Sequence, residues 1–180
     1  LAGADLKELH NFNAKDLEAM VERGQGVFER LAALPFPTVC LIDGVCLGGG
    51  YELALACDYR IASDGKKTTI GLPEVQLGLL PAWGGCSRLP RLIGMAKAIA
   101  VIASGKAFSA RKALGLEMID AVARPETLEC EARKWLSKGK KKRLGRLELY
   151  RQLLGWLVAF VAKRRIRAKT RANYPAPLRA

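Results

Sequence analysis

Apolar residues recur at roughly helical spacing through residues 15–33: Leu17, Met20, Val21, Val27, Phe28 and Leu31, with charged residues between them. This spacing predicts an amphipathic helix. Pro35 and Pro37 end it, because proline has no backbone donor. Thr38 to Ile42 is β-branched and apolar, the pattern of a buried strand. Asp43-Gly44 is a turn signal. Gly48, Gly49 and Gly50 follow, and Tyr51 to Ala56 reads as a short apolar helix. Asp58 to Ala62 is a strand, Ser63-Asp64-Gly65 turns the chain, and Thr68 to Ile70 is a second short strand. After Pro73-Glu74 comes a glycine-rich loop with Gly78, Gly84 and Gly85. Helices are expected over residues 87–93, 95–103 and 109–115, a strand over 118–122 and a helix over 126–137. No internal repeat is present. The alternation of strands and helices indicates an α/β fold.

Charge divides this chain. The net charge is +13, yet residues 1–132 hold 14 Lys+Arg against 16 Asp+Glu. Residues 133–180 hold 16 Lys+Arg against Glu148 alone, so the basic character belongs to the C-terminal quarter. A composition shift of this kind marks a boundary. We divide the chain into a core, 1–137, and a basic helical extension with a Pro-containing linker, 138–180. In the extension, Lys140, Lys141, Lys142 and Arg143 precede an apolar run from Leu153 to Ala162, which Lys163, Arg164, Arg165 and Arg167 close. That run is about half the ~20 residues a membrane-spanning helix needs. It reads as a helix packed on a body or partner; the sharper alternative is peripheral contact with an anionic membrane surface. Basic clusters also bind phosphates. The extension nevertheless lacks interleaved aromatics, having only Tyr150, Trp156, Phe160 and Tyr174, so no specific nucleic-acid partner is expected.

Cys40, Cys46, Cys57, Cys86 and Cys130 are irregularly spaced with no C-x-x-C pair, and His10 is the sole histidine. This predicts no disulfide framework, no metal site and a reducing, cytoplasmic setting. The chain opens inside a running Leu-Ala-Gly-Ala-Asp-Leu motif without a secretory pattern, and reads as a piece of a longer protein.

The first candidate for chemistry is Leu47-Gly48-Gly49-Gly50-Tyr51-Glu52-Leu53, with a strand leading in and a helix leading out. The first N–H groups of a helix have no intrahelical acceptor, and the helix dipole adds positive potential there. Glycines allow close approach, so the turn could form an oxyanion hole. On the glycines alone, a plain tight turn is the simpler reading. The run is neither a phosphate loop nor a dinucleotide fingerprint.

Glu52 stands inside the apolar stretch Tyr51 to Cys57, and Glu74 between Pro73 and Val75. Carboxyls in apolar surroundings have raised pKa values and can exchange a proton near neutral pH. Taken singly, each glutamate is more simply read as half of a buried ion pair, with Arg60 or Arg88.

The ordered set of motifs resembles the enoyl-CoA hydratase (crotonase) family. Gly-Gly-Gly-x-Glu, Asp58-Tyr59-Arg60 and Gly-x-Pro-Glu-x-x-x-Gly carry the resemblance. Ile42-Asp43-Gly44-Val45-Cys46-Leu47 precedes them, and Leu79 to Gly85, Arg88 to Gly94, Ser104-Gly105-Lys106 and Ala113 to Leu116 follow. Ala2-Gly3-Ala4-Asp5-Leu6 is similar to the family's first oxyanion loop. The likeness runs in order over residues 1–135.

The resemblance implies a crotonase-like spiral of ββα units with surrounding helices, shortened at both ends. It implies binding of acyl-CoA thioesters and stabilisation of a thioester enolate. The oxyanion donors would be the N–H groups of Ala4 and Gly49; Ala2, Ala4, Asp5, Leu6, Lys7, Gly48 and Gly49 would bind substrate and CoA. Glu52 would activate water for attack at C3 and Glu74 would protonate C2, giving a 3-hydroxyacyl-CoA without metal or redox cofactor. Holding both glutamates favours hydratase over Δ3-Δ2-enoyl-CoA isomerase or a non-catalytic CoA binder. Asn173-Tyr174-Pro175-Ala176-Pro177 resembles a segment of the alpha subunit of bacterial fatty-acid oxidation complexes. That branch implies a homo-oligomer or a complex with a thiolase subunit, with NAD used only if a dehydrogenase part exists in the full-length protein.

Overall fold

The computed structural model describes residues 12–141. The first helix, α1 (Ala14–Ala32), begins where Asn13 accepts hydrogen bonds from the Lys15 and Asp16 amides at 2.9 and 3.0 Å. The Asp16 carboxylate accepts the Asn13 amide in return, closing a capping box. Only Phe28 and Ala32 of this helix are buried, while Leu17 and Val27 are exposed. Its C-terminal half is therefore what docks on the body.

Two strand–strand–helix units follow. The first is β1 (Val39–Ile42), β2 (Val45–Leu47) and α2 (Gly49–Ala56). The second is β3 (Tyr59–Ser63), β4 (Thr69–Gly71) and, after a 3-10 turn at Glu74–Leu77, α3 (Gly85–Ile93). β1 pairs parallel with β3, Val39 opposite Tyr59; β2 pairs parallel with β4, Val45 opposite Thr69. Each unit is thus stacked on the one before it, one strand in each of two sheets. α4 (Met95–Ser104), β5 (Ala107–Ser109), α5 (Ala110–Gly115), β6 (Ala121–Ala123), a 3-10 turn at Pro125–Thr127 and α6 (Leu128–Leu136) complete the described chain. The sheet orders are β1-β3-β6 and β2-β4-β5, the latter closed by an antiparallel pairing of β4 with β5.

Ile42, Tyr51, Ile70, Leu72, Leu89, Val101, Ile102 and Met118 form the main core. Helices α2, α3 and α4 meet the β2-β4-β5 sheet there. All five residues of β3 are buried, including Arg60 and Ser63. A central strand can hold these polar groups because the Ser63 hydroxyl and both terminal nitrogens of Arg60 are hydrogen-bonded; Arg60 Nε has no partner among the described residues. Ser63 donates to Asp43 at 2.6 Å, and Arg60 pairs with Asp120 at 2.6 Å.

The sequence pattern and the structure differ in five places. β2 and β5 were not separated from their surroundings, since three residues give no period to read. The glycine-rich loop after Pro73 begins with a 3-10 turn, ended by Gly78 at φ 77°. The strand expected over 118–122 is Ala121–Ala123, because Met118 and Ile119 are core residues before the sheet. The helix expected over 126–137 opens as a 3-10 turn.

Residues 138–141 lie against the body. Gly139 O accepts the Tyr59 hydroxyl at 3.0 Å, Lys140 reaches Asp58 at 3.5 Å and Lys141 reaches Asp120 at 2.6 Å. Among the described residues, no helix is long and apolar enough to cross a membrane. The apolar run from Leu153 to Ala162 and its basic flanks from Lys142 onward lie outside the described residues.

Candidate active site

Gly48 turns the chain from β2 into α2 with φ 56° and ψ −130°, a conformation that favours glycine. Its N–H donates to Gly71 O on β4 at 3.0 Å, and its carbonyl accepts the amides of Tyr51 and Glu52 at 2.8 and 3.0 Å. Gly49 and Gly50 then occupy the first two helical positions, where N–H groups have no intrahelical acceptor. Glu52 is three residues beyond Gly49, so it lies one turn along the same helix face. The other end of α2 is held by Arg60, whose guanidinium donates to the carbonyls of Cys57 at 3.0 Å and Ala54 at 3.4 Å. A cation at a helix C-terminus is favourably placed. The helix is further pinned by the buried Tyr51 hydroxyl, which donates to Met118 O at 2.8 Å.

Glu52 is 3% exposed. Its Oε1 accepts the backbone N–H of Gly85, the first residue of α3, at 2.8 Å. A Cβ at Gly85 would lie 2.6 Å from Pro81 Cβ and 3.1 Å from Glu52 Oε1, so the approach requires glycine. Burial pushes the Glu52 carboxyl above its ordinary pKa; the amides of Gly85, Trp83 and Gly84 and the charge of Arg88 pull it part of the way back.

Glu74 opens the 3-10 turn after β4. Its two carboxyl oxygens are buried and have no hydrogen-bond partner among the described residues. Burial, with the nearby Glu52 charge adding to it, pushes this group up to about 7. The Cys86 thiol feels both carboxylates and, mainly through burial, is pushed up to about 11.

The simple ion-pair alternative therefore fails for Arg60, which pairs with Asp120 rather than with either glutamate. Arg88 donates to Trp83 O at 2.9 Å, and its charge reaches Glu52. Gly48, Gly49 and Glu52 share the start of α2, and the Glu52 charge reaches Glu74. Ala2, Ala4, Asp5, Leu6 and Lys7 lie outside the described residues. Sequence reasoning missed the roles of Gly85, Trp83 and Cys86; the Gly84-Gly85 pair was the one available signal, and it does not say which carboxylate it would serve. Chemically, the arrangement offers two carboxyls in unlike surroundings and a helix start whose first N–H groups have no intrahelical acceptor. One carboxyl accepts an amide; the other has no partner outside its own residue among the described residues and is pushed up to about 7. All five cysteines are free.

Comparison with known proteins shows the family. The family model described as enoyl-CoA hydratase/isomerase matches residues 1–163. A fatty acid oxidation complex subunit alpha from Aliivibrio fischeri is 48% identical over 98% of this chain, and one from Vibrio campbellii is 46% identical over 98%. In each case the chain spans 26% of the relative's length. The crystal structure of an enoyl-CoA hydratase from Bacillus anthracis superposes with a TM-score of 0.67 at 36% identity, covering 76% of this chain and 52% of that one. The stacked strand–strand–helix units are thus a crotonase-like α/β fold, and the chain belongs to the enoyl-CoA hydratase/isomerase family.

Proposed function

We propose that this chain carries the hydratase site of a fatty-acid β-oxidation enzyme, adding water across the C2=C3 bond of trans-2-enoyl-CoA thioesters. The observation that carries the reading is a pair of glutamates in unlike surroundings, Glu52 buried and Glu74 half-buried. Burial raises Glu52 overall, and the Gly85 amide that its carboxyl accepts offsets part of that rise in favour of the carboxylate. Among the described residues the Glu74 carboxyl meets no hydrogen-bond partner outside its own residue, and burial pushes it up to about 7, so near neutrality it can hold a proton and give it up. Two carboxyls whose surroundings set them apart divide the roles of base and acid.

In the proposed reaction, water between the two carboxyls loses a proton to Glu52 as its oxygen bonds to C3. The C2=C3 electron pair moves toward the thioester, and negative charge develops on the thioester oxygen. The Gly49 amide, with the Ala4 amide as second donor, stabilises that oxyanion. Glu74 then delivers its proton to C2. The net change is one water added; the proton left on Glu52 restores Glu74 through solvent. Each step uses a side-chain carboxyl or a backbone N–H of this chain. The relatives' name sets the expected context, an oxidation complex whose partner would be a thiolase subunit.

The test is loss of the conjugated-thioester absorbance of crotonyl-CoA with the full-length protein. Glu52→Gln and Glu74→Gln should each lower kcat by roughly 10²–10⁴-fold. Full hydration activity in either variant would overturn the two-carboxylate mechanism. Double-bond migration in a 3-enoyl-CoA without hydration would move the assignment to isomerase.

A further inference from the structure

Gly24 lies in the middle of α1, where glycine weakens a helix. Packing accounts for it. A Cβ at this position would lie 2.3 Å from Trp83 Nε1, 2.5 Å from Cδ1 and 2.7 Å from Cε2. The indole therefore rests directly on the helix backbone. Phe28, one turn further along, meets the same ring edge-on, with centroids 5.8 Å apart and planes at 88°. Between them, Gln25 donates its side-chain amide to Ala82 O at 2.7 Å. Three residues of α1 thus grip Ala82-Trp83, and two residues later the same segment presents the Gly85 amide to Glu52. Arg88 closes the segment from its far side by donating to Trp83 O.

We propose that Trp83, seated in the bare notch at Gly24, is a positioning residue for catalysis: it fixes the 81–85 segment so that the Gly85 N–H orients the Glu52 carboxylate. This rests on the hydratase reading for its kinetic consequence, but not for its structural one. Neither Gly24 nor Trp83 needs to touch substrate. The coupling runs from α1 through the indole to the backbone amides that face the Glu52 carboxyl, Gly85's at 2.8 Å among them. A shift of the segment would weaken those bonds and misalign Glu52 toward water.

The test uses the full-length protein and three variants. Gly24→Ala places a methyl group against the indole. Trp83→Leu removes the indole and leaves the notch empty. Gly26→Ala is the control, since a Cβ there meets nothing within 4 Å. In the first two, kcat for crotonyl-CoA hydration should fall by about tenfold or more, with KM changed less than about twofold, the split expected when alignment rather than binding is lost. The acid limb of the kcat–pH profile should move to higher pH, because Glu52 loses an amide that favours its charged form. Amide hydrogen exchange in the peptide containing Gly85 should speed up in both variants and stay at the wild-type rate in Gly26→Ala. If both variants match Gly26→Ala in exchange, the proposal is overturned, whatever the activity. If wild-type enzyme does not hydrate enoyl-CoA, the hydratase reading falls and the exchange data alone decide the positioning. Should Gly24→Ala fail to fold, Trp83→Leu decides.

Discussion

The Gly85 N–H lies 2.8 Å from Glu52 Oε1, joining the start of α3 to the first turns of α2 across 33 residues of sequence. A buried carboxylate without such a donor would take up a proton, since burial penalises its charged form. The amide thus offsets part of the rise that burial imposes, as the proposed base role of Glu52 requires. Gly85→Ala keeps a residue that suits a helix, but its methyl group would lie 2.6 Å from Pro81 Cβ and 3.1 Å from the carboxylate, so the segment must shift to admit it. We expect kcat to fall by about 10²-fold with a smaller change in KM, measured by crotonyl-CoA hydration. Unchanged kcat in a folded Gly85→Ala protein would show that Glu52 does not depend on this bond.

The pH dependence follows from Glu74, raised to about 7 from an ordinary 4.5. As the proposed proton donor to C2, it must be protonated, so kcat should fall as pH rises through 7 and approach a tenfold loss per pH unit beyond it. The same shift bears on stability. Below 4.5 the group is protonated both folded and unfolded and contributes nothing. Between 4.5 and about 7 the unfolded chain releases the proton while the folded protein keeps it, so stability declines as pH rises. Above 7 the penalty is constant. Discounted for partial solvent contact, it is about 1 kcal/mol, or ~3 °C in Tm. Glu74→Gln should therefore melt about that much higher than wild type at pH 8 and at the same temperature near pH 4, in thermal scans followed by circular dichroism.

How much of this was legible in the sequence depends on the range over which each feature is decided. Helix α1 and strand β3 could be read because their patterns are local: the apolar spacing of residues 17–31 and the run Tyr59 to Ala62. The two glutamates stood out because charged groups in apolar stretches are costly. β2 and β5 could not be read, because each is three residues long and exists through its partner, β4. The Gly85–Glu52 bond, the Trp83 seat on Gly24 and the Arg60–Asp120 pair join positions 33, 59 and 60 residues apart, and no local pattern encodes a partner at such distances. The Arg60 alternative for the glutamates failed for the same reason. Arginine's need for a carboxylate was evident, but Asp120 became available only once β6 was placed beside β3.

Tyr51 separates stability from chemistry within α2. It is fully buried next to Glu52 in sequence, yet its hydroxyl turns away to Met118 O at 2.8 Å. Tyr51→Phe deletes one buried hydrogen bond and leaves a carbonyl unsatisfied, for a cost of about 1–2 kcal/mol. We expect a lower denaturation midpoint in urea with kcat within about twofold of wild type. A large loss of kcat would mean that α2 shifts when this bond is cut, and that the Glu52 geometry depends on both ends of the core.

Asp120 gives the sharper test of how the helix is held. Arg60 is 3% exposed and Asp120 10% exposed, and their contact is joined by an Asp120 hydrogen bond to the Arg60 amide at 2.9 Å. The guanidinium also closes the C-terminus of α2, so the pair links β6, β3 and the helix that bears Glu52. Removing one partner of a buried pair costs more than the pair contributes, because the remaining charge is stranded. Asp120→Ala should destabilise the protein by about 3–5 kcal/mol. Asp120→Asn keeps an acceptor for the guanidinium and should cost roughly half of that. If Asp120→Ala unfolds in urea at the wild-type midpoint, Arg60 must be satisfied by the carbonyls of Ala54, Cys57 and Asp58 alone, and the anchor of α2 lies in those three bonds.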